Sequence, residues 1–142
     1  GIIMSNDWIE DIFQMHKKYG MHEKFDNFDR TDLRSFIQFR IRFLEEELNE
    51  LKKAAPSNQP YDKEEIVDAL IDLCVVAIGT LDALDVDAYV AWDEVLKANM
   101  NKTPGVKESR PNPMGLPDLI KPKDWKAPCH KGNYGAMEDK NV

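Results

Sequence analysis

The sequence predicts an all-α fold: an antiparallel four-helix-bundle-like core followed by an extended Pro-rich C-terminal arm. Three observations carry this expectation. Apolar residues recur every three or four positions in four segments between about residues 7 and 100, the spacing that puts side chains on one helix face. Gly20, Pro56 and Pro60 punctuate those segments, as helix stops do. Six of the eight prolines and four of the seven glycines fall after Asn101, where neither a regular helix nor a central strand is expected. At 142 residues the chain is of single-domain size. Residues 1–100 are read as the all-α core, and 101–142 as an arm of the same domain.

The first helix is expected from about Asp7 to Tyr19, with Ser5 or Asn6 as N-cap and Gly20 as its stop. Its apolar face is Trp8, Ile9, Ile12, Phe13, His16 and Tyr19. Residues 20–26 read as a turn. A second helix opens near Thr31 or Asp32 and runs to about Lys53, with the stripe Leu33, Phe36, Ile37, Ile41, Leu44, Leu48 and Leu51 burying one side. A third begins at Asp62, where Asp62 and Glu65 resemble a capping box. Its stretch from Ile66 to Leu81 is apolar on nearly all sides except at Asp68 and Asp72, which predicts a central position. The fourth runs from about Asp87 to Met100. In the arm, Met114, Leu116, Leu119, Ile120 and Trp125 are candidate anchors to the core.

The formal charge of −7 argues against a nucleic-acid-binding surface, which calls for a basic stripe. That charge is unevenly placed: residues 1–100 carry −10 and residues 101–142 carry +3. Cys74 and Cys129 form no C-x-x-C pattern, so neither a disulfide scaffold nor a zinc finger is indicated, and Cys74 reads as a small core residue. No stretch approaches the ~18 apolar residues of a membrane span. A cytoplasmic protein is expected, or one of the host cytoplasm if the chain is viral.

The chemistry is concentrated in two carboxylate clusters, Glu46-Glu47-Leu48-Asn49-Glu50 and Glu65-Ile66-Val67-Asp68, on consecutive helices. Residues three apart share a face, so Glu47 and Glu50 project together, as do Glu65 and Asp68. Across an antiparallel seam the four can meet. An acid-rich helix is normally a solvated face, but Asp68 and Asp72 interrupt an apolar helix, and no Lys or Arg occurs between Lys63 and Lys97 to pair with them locally. Charges so placed are costly unless paired or metal-bound. Glu65 could serve either a cap or a cation. A di-iron bundle would need Glu-x-x-His on two helices, and none of His16, His22 and His130 lies three residues after a Glu. Oxygen-only ligation points to Mg²⁺, with Mn²⁺ able to substitute.

The motif Glu46-Glu47-x-x-Glu50, followed after fourteen residues by Glu65-x-x-Asp68, resembles the E-E-x-x-E…E-x-x-D signature of the all-α nucleoside triphosphate pyrophosphohydrolases, the MazG-like superfamily. Asn99-Met100-Asn101-Lys102 is similar to the Asn-Met-x-Lys stretch at the end of the next helix in those proteins. The likeness covers about residues 5 to 105. It implies cleavage of a nucleoside triphosphate between the α and β phosphates, giving the monophosphate and pyrophosphate. It further implies that Glu47, Glu50, Glu65 and Asp68 bind Mg²⁺, that Glu46 positions or deprotonates the attacking water, and that Asn99 and Lys102, with Lys97, hold the phosphates. The superfamily is oligomeric, so a homodimer or homotetramer is expected. Phe25 and Trp8 are candidates for contact with the base, and equally for the core. Asp72 departs from the apolar or aromatic residue expected one turn after Asp68. It could be a cation ligand, a support to one, or an acceptor for a guanine edge, and the last of these gives a lean towards purine deoxynucleotides such as dGTP or dATP. Phosphoribosyl-ATP hydrolysis and a non-catalytic acidic helical interaction module are the alternatives.

Overall fold

The computed structural model describes residues 5–109 and 112–142. Among these, five α-helices are present: α1 (Trp8–Lys18), α2 (Met21–Asp26), α3 (Arg30–Ala54), α4 (Lys63–Ala83) and α5 (Ala88–Met100). Two short strands, β1 (Thr103–Gly105) and β2 (Asp118–Ile120), and a 3₁₀ turn at Gly135–Met137 complete the chain. It divides into two compact units. One runs up to Ala88 and includes Gly132–Val142; the other is Tyr89–Lys131.

The first unit holds α1 to α4. Asp7 caps α1 by accepting the Glu10 N–H at 2.9 Å. The expected caps fail for a local reason: Ser5 Oγ is taken by the Asp7 N–H at 3.1 Å, one step outside the helix. The larger correction is α2, which occupies the segment read as a turn. Gly20 adopts φ 66°, the left-handed conformation in which glycine is least strained. It ends α1 and redirects the chain at once into a six-residue helix. A helix that short is not stable alone; Phe25, buried against His16, Phe28 and Phe36, anchors it. Asp29 and Asp32 then form a reciprocal capping box, with N–H to carboxylate distances of 2.8 and 3.1 Å, and set the start of α3.

α3 and α4 run antiparallel and make the most extensive helix contact of the molecule. Near the connector the Asp62 N–H donates to the Ala54 carbonyl at 2.8 Å, and further along Arg40 of α3 reaches Val76 and Thr80 of α4. The approach is close because Ala69, Val76, Gly79 and Ala83 form the buried face of α4, and small residues let two backbones near each other. Leu33 is the most deeply enclosed large side chain. α4 is less enclosed than its composition predicts: Val67, Leu70 and Ile71 are 62%, 48% and 45% exposed. Residues 132–142 return to this unit. Asn133 exchanges two 2.9 Å hydrogen bonds with the Asp87 backbone, the Ala136 N–H donates to the Leu84 carbonyl at 2.6 Å, and the Arg30 side chain donates to the Asn141 carbonyl.

The second unit contains α5 from Tyr89 onward and the antiparallel ribbon β1–β2, in register Thr103↔Ile120, Pro104↔Leu119 and Gly105↔Asp118. No strand was expected in the arm. A two-stranded ribbon consists only of edges, which is where a strand tolerates a residue such as Pro104. Gly105 is required by the partner strand, since a Cβ there would collide with the Ile120 side chain. The Trp125 indole N–H donates to the Ala98 carbonyl at 2.6 Å, tying the chain after β2 to α5.

Candidate active site

The antiparallel α3–α4 pair brings carboxylates from both clusters into electrostatic contact. Glu47 is held above its ordinary value, first by burial, then by the charges of Glu50, Asp72 and Asp68. Glu65 is raised by burial and by Glu50, Asp68, Asp62 and Asp72. Asp72 is raised by burial, by the charge of Asp68 and a side-chain hydrogen bond with it, and by Glu50. Glu50 therefore acts on all three. One Glu47 oxygen, Oε2, is buried without a hydrogen-bond partner. Among the described residues none of these five carboxylates pairs with a Lys or Arg; the ion pairs found are His16–Asp82 and His22–Asp82. Glu46 is exposed on α3 and has no part in these shifts.

The capping question at Glu65 is answered locally. Asp62 accepts the Glu65 N–H at 3.1 Å, but the Asp62 N–H donates to Ala54, so no return bond from the Glu65 side chain is required. Its carboxylate is under the charges of Glu50, Asp68, Asp62 and Asp72.

An orphaned buried oxygen and several mutually repelling carboxylates fit a hard divalent cation. The donors are all oxygen, the set that Mg²⁺ and Mn²⁺ favour, and Glu47, Glu50, Glu65 and Asp68, with Asp72 beside them, could hold one by drawing together, since no three of them bring ligand oxygens within 4.8 Å of one another. Phe25 lies elsewhere in the first unit, in the aromatic group with His16, His22, Phe28 and Phe36. Lys97, Asn99 and Lys102 belong to the second unit. There Lys97 lines a cleft of about 440 Å³ with Glu94, Asn101, Asp124, Trp125 and Cys129, and the Lys102 ammonium lies 5.4 Å from the Trp125 ring. Lys121 reaches the same ring at 4.9 Å.

The model of one protein family, described as PRA-PH: Phosphoribosyl-ATP pyrophosphohydrolase, matches residues 23–99, more than half of the chain. The chain belongs to the PRA-PH family. This family sits within the MazG-like all-α pyrophosphohydrolase superfamily, in agreement with the resemblance carried by the two carboxylate motifs. The match runs from residue 23, inside α2, through α3 and α4 and nearly all of α5, so it includes Glu46, Glu47, Glu50, Glu65, Asp68, Lys97 and Asn99, and stops short of Lys102. PRA-PH membership makes the chain a hydrolase of the nucleotide pyrophosphohydrolase type, from a family that generally depends on divalent metal. No curated protein matches the chain.

One group escaped the sequence reading. His16 Nδ1 and His22 Nε2 lie 2.6 and 2.9 Å from the same oxygen, Oδ2 of Asp82. The sequence places His16 on the apolar face of the first helix and His22 in the segment read as a turn, and does not single out Asp82. His16 is buried and does pack, but as part of a polar cluster. The 66 and 60 positions that separate the histidines from Asp82 leave no local motif to find.

Proposed function

We propose that the chain hydrolyses a nucleoside triphosphate, with deoxynucleotides the first candidates, between its α and β phosphates, releasing pyrophosphate at the α3–α4 carboxylate site. The observation that carries this reading is the confrontation of Glu47, Glu50, Glu65, Asp68 and Asp72 with no basic partner among the described residues. Such an arrangement is unfavourable by itself and becomes favourable around a cation. Glu47, Glu50, Glu65 and Asp68 would hold Mg²⁺ or Mn²⁺, and Asp72 would support them through Asp68. When bound, the cation supplies charge neutralisation on the phosphates and acidifies water. Glu46, free of the cluster, positions the attacking water and takes its proton. The assignment of phosphate contacts to Lys97, Asn99 and Lys102 rests on the motif alone.

Because Asp72 couples to Asp68 and Glu50, we assign it to the cation site before any guanine edge, which leaves dGTP and dATP as candidates without a dedicated base contact. A second reading, phosphoribosyl-ATP as substrate, is favoured by the description of the matching family. The test is a panel of NTPs, dNTPs and phosphoribosyl-ATP with Mg²⁺, scored for pyrophosphate against orthophosphate, with Glu50→Gln as control. Pyrophosphate from one or two substrates, lost in the variant, is the expected result. No turnover on any substrate, with no cation-induced rise in melting temperature, would leave an acidic interaction module.

The exposed Val67, Leu70 and Ile71 of α4 support a homodimer or homotetramer in which a second copy covers them. Sedimentation at micromolar concentration, with Leu70→Glu as the dissociating variant, tests this.

A further inference from the structure

We propose that His16, His22 and Asp82 form a second cation site, different in chemistry from the carboxylate cluster and suited to a borderline transition metal such as Zn²⁺. Three helices supply the donors: α1 gives His16, α2 gives His22, and the last turn of α4 gives Asp82. One ligand atom from each lies within 4.8 Å of the others, and among the described residues this is the one His, Cys, Asp and Glu group so arranged. Both rings address a single carboxylate oxygen, at 2.6 and 2.9 Å. Two imidazoles from different helices that converge on one oxygen define a point where three donor atoms meet.

Ligand type selects the metal. Two imidazole nitrogens and one carboxylate oxygen match the two-nitrogen, one-oxygen sets that bind zinc with a fourth position left to water, whereas oxygen-only sets suit magnesium. Tetrahedral zinc with bonds of about 2.0 Å places its donors about 3.3 Å apart, so the group must open by roughly half an ångström. His22 can provide that movement because its side chain is 26% exposed, against 3% for His16 and 17% for Asp82. Binding through His16 Nδ1 and His22 Nε2 requires each neutral ring only to carry its proton on the other nitrogen.

The surroundings favour a fixed site. Phe13 packs on His22 at 4.6 Å between ring centroids and Phe25 on His16 at 5.3 Å, so the rings are held from their apolar sides. Gly79 of α4 lies beside the opposite edge of His16. A Cβ on Gly79 would lie 2.8 Å from Arg40 Nη2 and 3.5 Å from His16 Cε1 and Nε2, while the proposed cation sits on the Nδ1 edge. The consequence is structural: the metal would pin the α1–α2 hairpin to the C-terminal end of α4.

Cobalt and copper report such a site without reference to turnover. The 142-residue chain is titrated with Co²⁺ and followed by visible absorption, and with Cu²⁺ followed by nitrogen hyperfine coupling in electron paramagnetic resonance. Wild type and Glu50→Gln are expected to give the intense visible bands of low-coordinate cobalt and coupling to imidazole nitrogen. His22→Gln and Asp82→Asn, with folding confirmed by circular dichroism, are expected to lose both signals. Signals that survive in His22→Gln and vanish in Glu50→Gln would place the metal among the carboxylates and overturn the proposal. Absence of nitrogen coupling in the wild type, a result that needs no variant, would also overturn it and leave a purely hydrogen-bonded cluster.

Discussion

Gly79→Ala should destabilise this protein, although glycine to alanine inside a helix ordinarily does the reverse. Alanine is favoured over glycine in a helix interior by about 0.8–1.0 kcal/mol, and Gly79 lies well inside α4. Its missing Cβ is space that Arg40 uses: an added methyl would sit 2.8 Å from Nη2. Long side chains usually swing away from such a contact at little cost. Arg40 is restrained, because Nη2 donates to the Val76 carbonyl at 3.0 Å, Nε donates to Thr80 Oγ1 at 2.9 Å, and the guanidinium lies 5.7 and 5.5 Å from the rings of Phe36 and Phe43. Burial also lowers its pKa, so its charge is already partly stripped of water. Losing one hydrogen bond of a charged group costs about 1.5–3 kcal/mol. Set against the helix gain, the net is a loss of about 0.5–2 kcal/mol, or roughly 1–8 °C in melting temperature at about 2–4 °C per kcal/mol for a chain near this size. Thermal unfolding of a double-mutant cycle with Arg40→Met checks the cause: in the Met background the same substitution should become neutral or stabilising. A higher melting temperature for Gly79→Ala alone, or equal effects in both backgrounds, would refute the reasoning.

Three further outcomes are expected. Mg²⁺ at a hundredfold excess over its dissociation constant should stabilise the wild type by about 2.7 kcal/mol, and Glu50→Gln should remove that gain along with turnover, as read by thermal shift with and without chelator. The same gain should shrink on acidification. The raised Glu47, Glu65 and Asp72 groups bind protons more readily in the folded chain than in the unfolded one. The metal-free protein therefore gains stability as pH falls from neutrality through the raised values towards the ordinary 4.5 and 3.8, while protons displace the cation; melting curves at stepped pH, each with and without Mg²⁺, measure the difference. Gly135→Ala should release residues 132–142, because φ is 57° there and a Cβ would collide with the Leu84 carbonyl, with faster proteolytic trimming of the C-terminus as the readout.

What could be read from the sequence follows from how far each interaction reaches along the chain. Helical periodicity placed α3 to within about a residue at either end, since its stripe from Leu33 to Leu51 repeats over many turns. The pairs Glu47–Glu50 and Glu65–Asp68 were legible because three-residue spacing fixes a shared face before any tertiary contact forms. α2 was not, because six residues hold too few turns to show a period and the helix depends on Phe25 meeting rings from other segments. The ribbon was hidden for a similar reason: Thr103 and Ile120 pair across an intervening loop, and three-residue strands leave little alternation. Asp82 was invisible because its partners lie more than fifty residues away.

Arg40 links these features in one electrostatic scheme. α4 contains no lysine or arginine between Lys63 and its end, yet it carries Glu65, Asp68 and Asp72 in its first half and Asp82 in its last turn. The cation that reaches it comes from α3 and enters between these groups, at Val76 and Thr80. That guanidinium pairs with no carboxylate among the described residues. It instead donates to a carbonyl and a hydroxyl, and Thr80 Oγ1 in turn donates to Val76 O at 2.7 Å, so the acceptors are fixed as a unit. The carboxylates on either side keep their lone pairs for other partners: the two histidines at one end, and a divalent cation, in the function proposed here, at the other. Arg40→Lys, with a point charge in place of the planar fork, cannot satisfy both acceptors in the same way. Its ammonium would be drawn towards a neighbouring carboxylate, which should weaken Mg²⁺ stabilisation even though every acidic residue is intact. Mg²⁺ titration of Arg40→Lys by thermal shift, against Arg40→Met as the uncharged control, separates this from a packing effect: a loss confined to the lysine variant supports the scheme, and equal losses in both would reduce Arg40 to a packing residue.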